Sequence, residues 1–320
     1  MIIPAYHKLI QITITHKCPF KCSHCSQMVP HQPKPFTMSL SEIENALKSL
    51  EDYPGHIGMF GGEPTVHPQF REVCKLYQKY IPVKARRELW TMGYKFNENR
   101  DIINETFYPE LVAYNEHEKQ QPCWHQPNSI AIEDVFNGEV TGSKITDKRI
   151  MKRLINNCWV NNRWSAAITP MGAYFCEVAS ARAMILGYPR GIPVETGWWK
   201  RPYSDWKYQQ DVLCNMCSMC LPMEVKPNDK QKYDWVSKDI KTILELEGSP
   251  WAKSGKVWEF DLNVLREWYK GHTFTPETDY RMRGGLSDFE NWTPWVYRPY
   301  DEKKHRPEDV ERKRNENVTK

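Results

Sequence analysis

The feature that most limits what this chain can become is Cys18-Pro-Phe-Lys-Cys22-Ser-His-Cys25, placed directly after the alternating apolar run Leu9-Ile-Gln-Ile-Thr-Ile-Thr15. Such a run predicts a β-strand, which puts the three cysteines in the loop at its end. Three soft sulfurs select an iron–sulfur cluster or zinc. A metal centre with only three protein ligands keeps one position open, the usual mark of a catalytic rather than a structural site, and in a cubane that open position is one iron. A zinc knuckle is the other reading, but no second CxxC pair follows at the distance such sites use.

With 320 residues the chain can bury a sizeable core, as one large domain with an appendage or as two domains. A net charge of +4 and a pI near 8.4 create no field that argues for nucleic acid or another polyanion. Ten cysteines clustered at metal spacings, in a long chain of ordinary core composition, point to a reducing compartment rather than to disulfides. The N-terminus lacks a basic region followed by an apolar run, and no stretch approaches the roughly 18 apolar residues of a membrane span. A cytoplasmic location without membrane association is the expectation.

Along the chain, Ser39-Leu-Ser-Glu42 reads as a capping box ahead of Leu40, Ile43, Ala46, Leu47 and Leu50 at helical spacing. His56 to Phe60 reads as a short strand ending in Gly61-Gly62-Glu63-Pro64. Strand, helix, strand begins a βα series with a parallel sheet. Paired glycines let a backbone approach a ligand closely, and the carboxylate behind them can hold an ammonium group. A helix is predicted over 69–80, with Cys74 as a buried small hydrophobe, and a strand at Glu88-Leu-Trp-Thr91. The strand Leu111-Val-Ala-Tyr-Asn115 runs into Glu116 and His117; an abruptly polar strand end either lines a βα-barrel site or forms a solvated loop. Gln120 to Asn128 reads as a loop over the mouth of such a barrel, and Ser129 to Phe136 as a further strand.

From Ile150 the character changes. Cys158 precedes a predicted β-hairpin built from Trp164 to Thr169, a Pro170-Met-Gly172 turn and Ala173-Tyr-Phe-Cys176. A helix over 177–186 and then Cys214-Asn-Met-Cys217-Ser-Met-Cys220 complete a set of five sulfurs for a second site, with structural zinc as the alternative occupant. Trp235, Trp251, Trp258, Trp268, Trp292 and Trp295 follow, either as a packed cap or as stacking surfaces for sugars, bases or peptide. A helix is predicted over 260–269, and the polar segment from Asp301 is expected to be mobile.

The CxxxCxxC spacing after the first strand, with Gly61-Gly62-Glu63-Pro64 one βα unit later, resembles the radical S-adenosylmethionine (SAM) enzymes. The resemblance implies an α/β fold, a partial (β/α)6 TIM-like barrel. It further implies that Cys18, Cys22 and Cys25 hold a [4Fe-4S] cluster whose open iron binds SAM. Gly61, Gly62 and Glu63 would hold the amino group of SAM, Thr91 would lie near its ribose and Asn115 would face it. His24 stands where the family usually has an aromatic residue, beside adenine. The second group resembles the Twitch form of the SPASM module. This implies an auxiliary [4Fe-4S] cluster on Cys158, Cys176, Cys214 and Cys217, with Cys220 as a substitute ligand for Cys158 or Cys217.

The implied organisation is a radical SAM core over 1–149, an auxiliary-cluster module over 150–224, an aromatic-rich extension over 225–300 as a cap, and a charged tail over 301–320. The implied activity is reductive cleavage of SAM to a 5′-deoxyadenosyl radical and hydrogen abstraction from substrate, followed by oxidation of the substrate radical through the auxiliary cluster. That amounts to dehydrogenation of an alcohol or amine on a sugar-like or other small molecule, with electrons from a flavodoxin- or ferredoxin-type donor. Glu116 and His117 are the expected acid–base groups, with His125 and Glu177 behind them. A peptide maturase that crosslinks or epimerises a ribosomal peptide is the alternative, although only about eight residues precede the first strand, too few for a recognition domain. A non-enzymatic zinc-binding interaction protein would explain the cysteines but not Gly61 to Pro64 or the βα order.

Overall fold

The alternating run forms β1 (Leu9–Thr15). It is followed by α1 (Leu40–Ser49), β2 (His56–Gly61), α2 (Phe70–Tyr80), β3 (Arg87–Thr91), α3 (Arg100–Thr106) and β4 (Val112–Tyr114). The middle of the chain contributes β5 (Trp124–His125), α4 (Ile132–Val135), α5 (Lys144–Asn156), β6 (Ser165–Thr169), β7 (Gly172–Tyr174), α6 (Glu177–Leu186) and α7 (Tyr203–Leu213). The last elements are β8 (Lys226–Pro227), β9 (Asp234–Val236), α8 (Lys238–Leu246), α9 (Pro250–Lys253), β10 (Val257–Glu259) and α10 (Leu262–Lys270). This computed structural model describes residues 3–109, 112–114, 124–125, 127–158, 160–221, 223, 226–227 and 232–270, with backbone alone for 112–114, 124–125, 163 and 226–227.

One sheet of six strands, in the order β4-β3-β2-β1-β6-β7, organises the fold. All pairs are parallel except β6 with β7, as expected of a sheet built from βα units and consistent with a partial barrel. Every residue of the central strand β1 is buried, which explains its high Ile content. The register places Gln11 beside Gly58 on one neighbour and Ala167 on the other, and Gly58 beside Glu88. These side chains share one face, while Ile10, Ile12 and Ile14 alternate to the other. On that second face Arg87 donates to the carbonyls of Ile81 (2.6 Å), Pro82 (3.0 Å) and Thr106 (3.1 Å), pinning β3 to the ends of α2 and α3.

Local signals act as expected at several points. Ser39 and Glu42 close a reciprocal capping box at the start of α1, and Cys74 is fully buried in the main core. The hairpin forms, with Gly172 in the turn at φ +117°. Its first strand, β6, pairs in parallel with β1 from Leu9↔Ser165 to Ile12↔Ile168, so the hairpin belongs to the central sheet. After it, α6 is apolar nearly all round and correspondingly buried: Val178, Ala179, Ala183 and Leu186 join the main core, while Ile185 packs with Met28, Ala131 and Val236.

One expected element is corrected. Residues 129–136 do not form a strand: after an extended start, Ile132–Val135 is a short helix. The N–H groups that a strand would have given to a sheet go instead to hydroxyls, Ile130 to Ser218 (3.2 Å) and Ala131 to Ser237 (3.1 Å). Ile130, Ile132, Val135 and Phe136 then fill a separate core with Leu154, Leu221 and Tyr269. The C-terminal helix runs over Leu262–Lys270. Around β9 and β10, Tyr233 stacks on Trp258 at 4.0 Å and Trp235 meets both edge-on. Trp292, Trp295 and the tail from Asp301 lie outside the described residues. Among the described residues no helix is long and apolar enough to cross a membrane.

Candidate metal centre

The loop after β1 is held by its neighbour strand. The Gly62 N–H donates to the Thr15 carbonyl (2.7 Å) and the Glu63 N–H to the Lys17 carbonyl (2.9 Å). A Cβ at Gly61 would lie 2.2 Å from the Thr15 oxygen, and one at Gly62 would lie 2.6 Å from the Lys17 oxygen. The contact of one loop backbone with the other therefore requires glycine at both positions. That contact brings Glu63 beside the cysteines.

Glu63 is fully buried. Its Oε1 accepts from the Thr65 N–H (3.1 Å), the Thr65 hydroxyl (2.7 Å) and the Thr91 hydroxyl (2.6 Å), and its Oε2 from the Met92 N–H (2.7 Å). Thr91, whose hydroxyl also accepts from the Gly93 N–H (2.9 Å), thus serves the site through Glu63.

Burial pushes the Cys18 thiol up to about 12, and the neighbouring Cys25 and Glu63 add to the shift. Burial likewise raises Cys25, against the opposing effect of hydrogen bonds from the backbone of Val29, Gln27 and Met28. Those amides point at the sulfur because the loop passes through left-handed conformations at His24 (φ 52°) and Met28 (φ 50°). Two buried thiols whose ionisation burial opposes would give up their protons readily on binding a cation. Three sulfurs, one with a ring of amide donors, fit a [4Fe-4S] cluster.

The second group is also brought together. Cys158 follows α5, Cys176 caps α6, Cys214 caps α7, and the Cys217 N–H donates to the Cys214 carbonyl (3.1 Å). Cys214 is held far above the ordinary thiol range by burial first, then by Cys217, Cys158, Cys176 and Cys220 in decreasing order. Cys220 has the weakest effect and packs into the apolar core beside Leu221. Among the described residues no three Cys, His, Asp or Glu side chains converge on a point that one ion could occupy.

Residues that the sequence did not single out tie these parts together. Asp234 Oδ1 accepts from the His24 N–H (2.6 Å), and Asp234 Oδ2 bonds His31 Nε2 (2.8 Å). Asn128 Nδ2 donates to the carbonyls of His24 (3.2 Å) and Cys25 (3.1 Å), while its own carbonyl accepts from Arg182 and from the Ser218 N–H (3.3 Å) beside Cys217. The one hint in the sequence was a lone carboxylate between the aromatic residues Tyr233 and Trp235. Asn115, expected to face SAM, and Glu116 and His117, the expected acid–base groups, lie outside the described residues, and His125 is described by backbone alone, in β5 paired with β8. Glu177 is buried next to Cys176, its Oε2 accepting from the Ser165 hydroxyl (2.7 Å), and burial lifts its carboxyl to about 7.

Residues 12–110 match the sequence profile of the Radical SAM superfamily. That part of the chain is similar to a radical SAM domain. A domain of this family implies a [4Fe-4S] cluster and SAM as its partner, and the matched span contains Cys18, Cys22, Cys25 and Gly61 to Glu63. No curated protein matches the sequence. Among solved structures, BtrN in complex with AdoMet and 2-DOIA is similar at 14% identity and a TM-score of 0.42, over 66% of this chain and 88% of BtrN. BtrN in an open conformation is similar at 15% and 0.38, over 66% and 86%. Likenesses of that size assign no substrate here.

Proposed function

We propose that this chain is a radical SAM oxidoreductase acting on a small polar molecule. The observation that carries the reading is the grouping of Cys18, Cys25 and Glu63 at the ends of β1 and β2, inside the span that matches the family. Cys18, Cys22 and Cys25 would hold the SAM-binding cluster, and Cys158, Cys176, Cys214 and Cys217 an auxiliary one. When bound, the first supplies hydrogen-atom abstraction through SAM, and the second a one-electron oxidant.

The protein's own contributions follow from its packing. Glu63, already anchored by four donors, would present a fixed negative charge to the ammonium of SAM at little cost in reorganisation. His24 would pack beside adenine, and Thr91 would fix Glu63. On the sheet face shared by Gln11 and Glu88, both amide atoms of Gln11 and the hydroxyl of Thr13 are buried without partners. Each such group left unpaired costs about 1–3 kcal/mol, which hydroxyl or amine groups of a substrate would offset. Nearby, His56 Nδ1 pairs with Glu88 Oε1 at 2.6 Å. Glu116 and His117 remain the proposed proton acceptors.

In this reading the SAM core spans 1–149 and the auxiliary module 150–224. The test is the iron content of anaerobically reconstituted Cys18/Cys22/Cys25→Ala protein, with 5′-deoxyadenosine assayed in the parent. Residual iron in the variant and SAM-dependent 5′-deoxyadenosine in the parent are expected. An iron-free variant would remove the auxiliary cluster, and a parent that makes no 5′-deoxyadenosine would remove the enzyme.

A further inference from the structure

His24 is a non-glycine residue held at φ 52° within the cysteine loop. Left-handed backbone costs an ordinary residue roughly 1–2 kcal/mol, so something must hold it there. Both flanking peptides are tethered by residues more than 100 positions away: the His24 N–H by Asp234 Oδ1 at 2.6 Å, and the His24 carbonyl by Asn128 Nδ2 at 3.2 Å. The Asn128 amide also reaches the Cys25 carbonyl, but Asp234 is the charged member and the better anchored.

Asp234 is buried, and its second oxygen meets His31 Nε2 at 2.8 Å. The other ring nitrogen of His31 bonds Ser249 Oγ at 2.9 Å, and that oxygen caps α9 by accepting from the Ala252 N–H at 3.2 Å. Trp251, on the same helix, packs edge-on against the His31 ring at 6.0 Å. Ser249, His31 and Asp234 stand in the order of a hydrolytic triad, yet Ser249 is wholly buried and its hydroxyl is occupied as a helix cap. The chain of bonds instead runs from the C-terminal unit to the loop that carries Cys22 and Cys25, and the Cys25 thiol feels the Asp234 charge.

We propose that Asp234 is a positioning residue of the SAM-cluster site: its carboxylate, braced by His31 and Ser249, holds His24 in the left-handed conformation that shapes the cysteine loop, and it sets a buried negative charge beside Cys25. The segment around β9, beyond the span that matches the family, is thereby part of the metal centre. The inference rests on the reading that Cys18, Cys22 and Cys25 bind a cluster.

Two variants test it, with iron per chain and the electron paramagnetic resonance signal that responds to added SAM as readouts. Asp234→Ala should lose at least half of the SAM-responsive signal. Asp234→Ala combined with His24→Gly should regain most of the iron that Asp234→Ala loses, since glycine takes the left-handed conformation unaided. Iron is read here because it does not depend on the His24 side chain meeting SAM. Asp234→Asn keeps an acceptor for the His24 N–H and should load fully, with the SAM-responsive cluster reduced at a higher potential because a negative charge is gone. A wild-type signal in Asp234→Ala, no recovery in the double variant, or an unchanged potential in Asp234→Asn would each overturn the proposal. Absence of any SAM-responsive signal in the parent would instead defeat the cluster reading itself.

Discussion

Gly62→Ala asks whether the contact between the two loops is as tight as the structure makes it. The added Cβ would sit 2.6 Å from the Lys17 oxygen and 2.9 Å from the His16 oxygen, both backbone atoms that no side-chain rotation can move. Ordinary contact begins near 3.4 Å, so the loops must part by about 0.8 Å. Overpacking of that kind costs about 1–3 kcal/mol. The parting also stretches the Gly62 to Thr15 and Glu63 to Lys17 hydrogen bonds, worth about 1 kcal/mol each. A total near 3 kcal/mol should lower the melting temperature by roughly 6 °C in a chain of this size, and iron loading should fall with it. Gly142→Ala is the control: its φ is +74° but nothing lies within 4 Å of the new Cβ, so only the backbone term of about 1 kcal/mol applies. Thermal unfolding followed by circular dichroism, with iron assayed on the same samples, separates the two. Equal melting temperatures for the Gly62 and Gly142 variants would refute the steric account.

Two further outcomes follow from buried polar groups. Thr91→Val removes the 2.6 Å donor to Glu63 and should cost about 2 kcal/mol in urea unfolding, whereas Thr91→Ser should stay within about 0.5 kcal/mol of the parent; equal losses would show that the hydroxyl has no greater role than the methyl. His7 is buried against the Asn161 carbonyl, and burial lowers its pKa to about 4 from the ordinary 6.5. The folded state therefore binds fewer protons than the unfolded one between those values, so stability is full above pH 6.5 and declines as pH falls toward 4, by up to about 3 kcal/mol. His7→Gln should flatten that part of the stability profile, and an unchanged slope would point to other groups.

What could be read in the sequence was what depends on local pattern. The strand Leu9–Thr15, the capping box at Ser39 and Glu42, the hairpin turning at Gly172 and the two cysteine groups all announce themselves within about a dozen residues. Ser129 to Phe136 was misread because a short apolar run has no period long enough to separate a strand from a buried helix, and hydroxyls more than 80 residues away decided it. The glycine pair was recognised, but the backbone contact it permits was not, since Thr15 and Lys17 become its neighbours only when β1 and β2 pair. Asp234 and Asn128 were invisible for the same reason: nothing around either residue signals a cysteine loop more than 100 positions earlier.

The place of β6 beside β1 bears on how the protein is made. An emerging chain completes β1 through β4 long before Ser165 leaves the ribosome, so the central strand waits with one edge open while about 150 residues are added. The loop that carries Cys18 to Cys25 waits longer still, because Asp234 and its brace Ser249 are among the last described residues to be synthesised. A fragment cut to the matched span alone would expose a bare strand edge and a cysteine loop without its contact to Asp234.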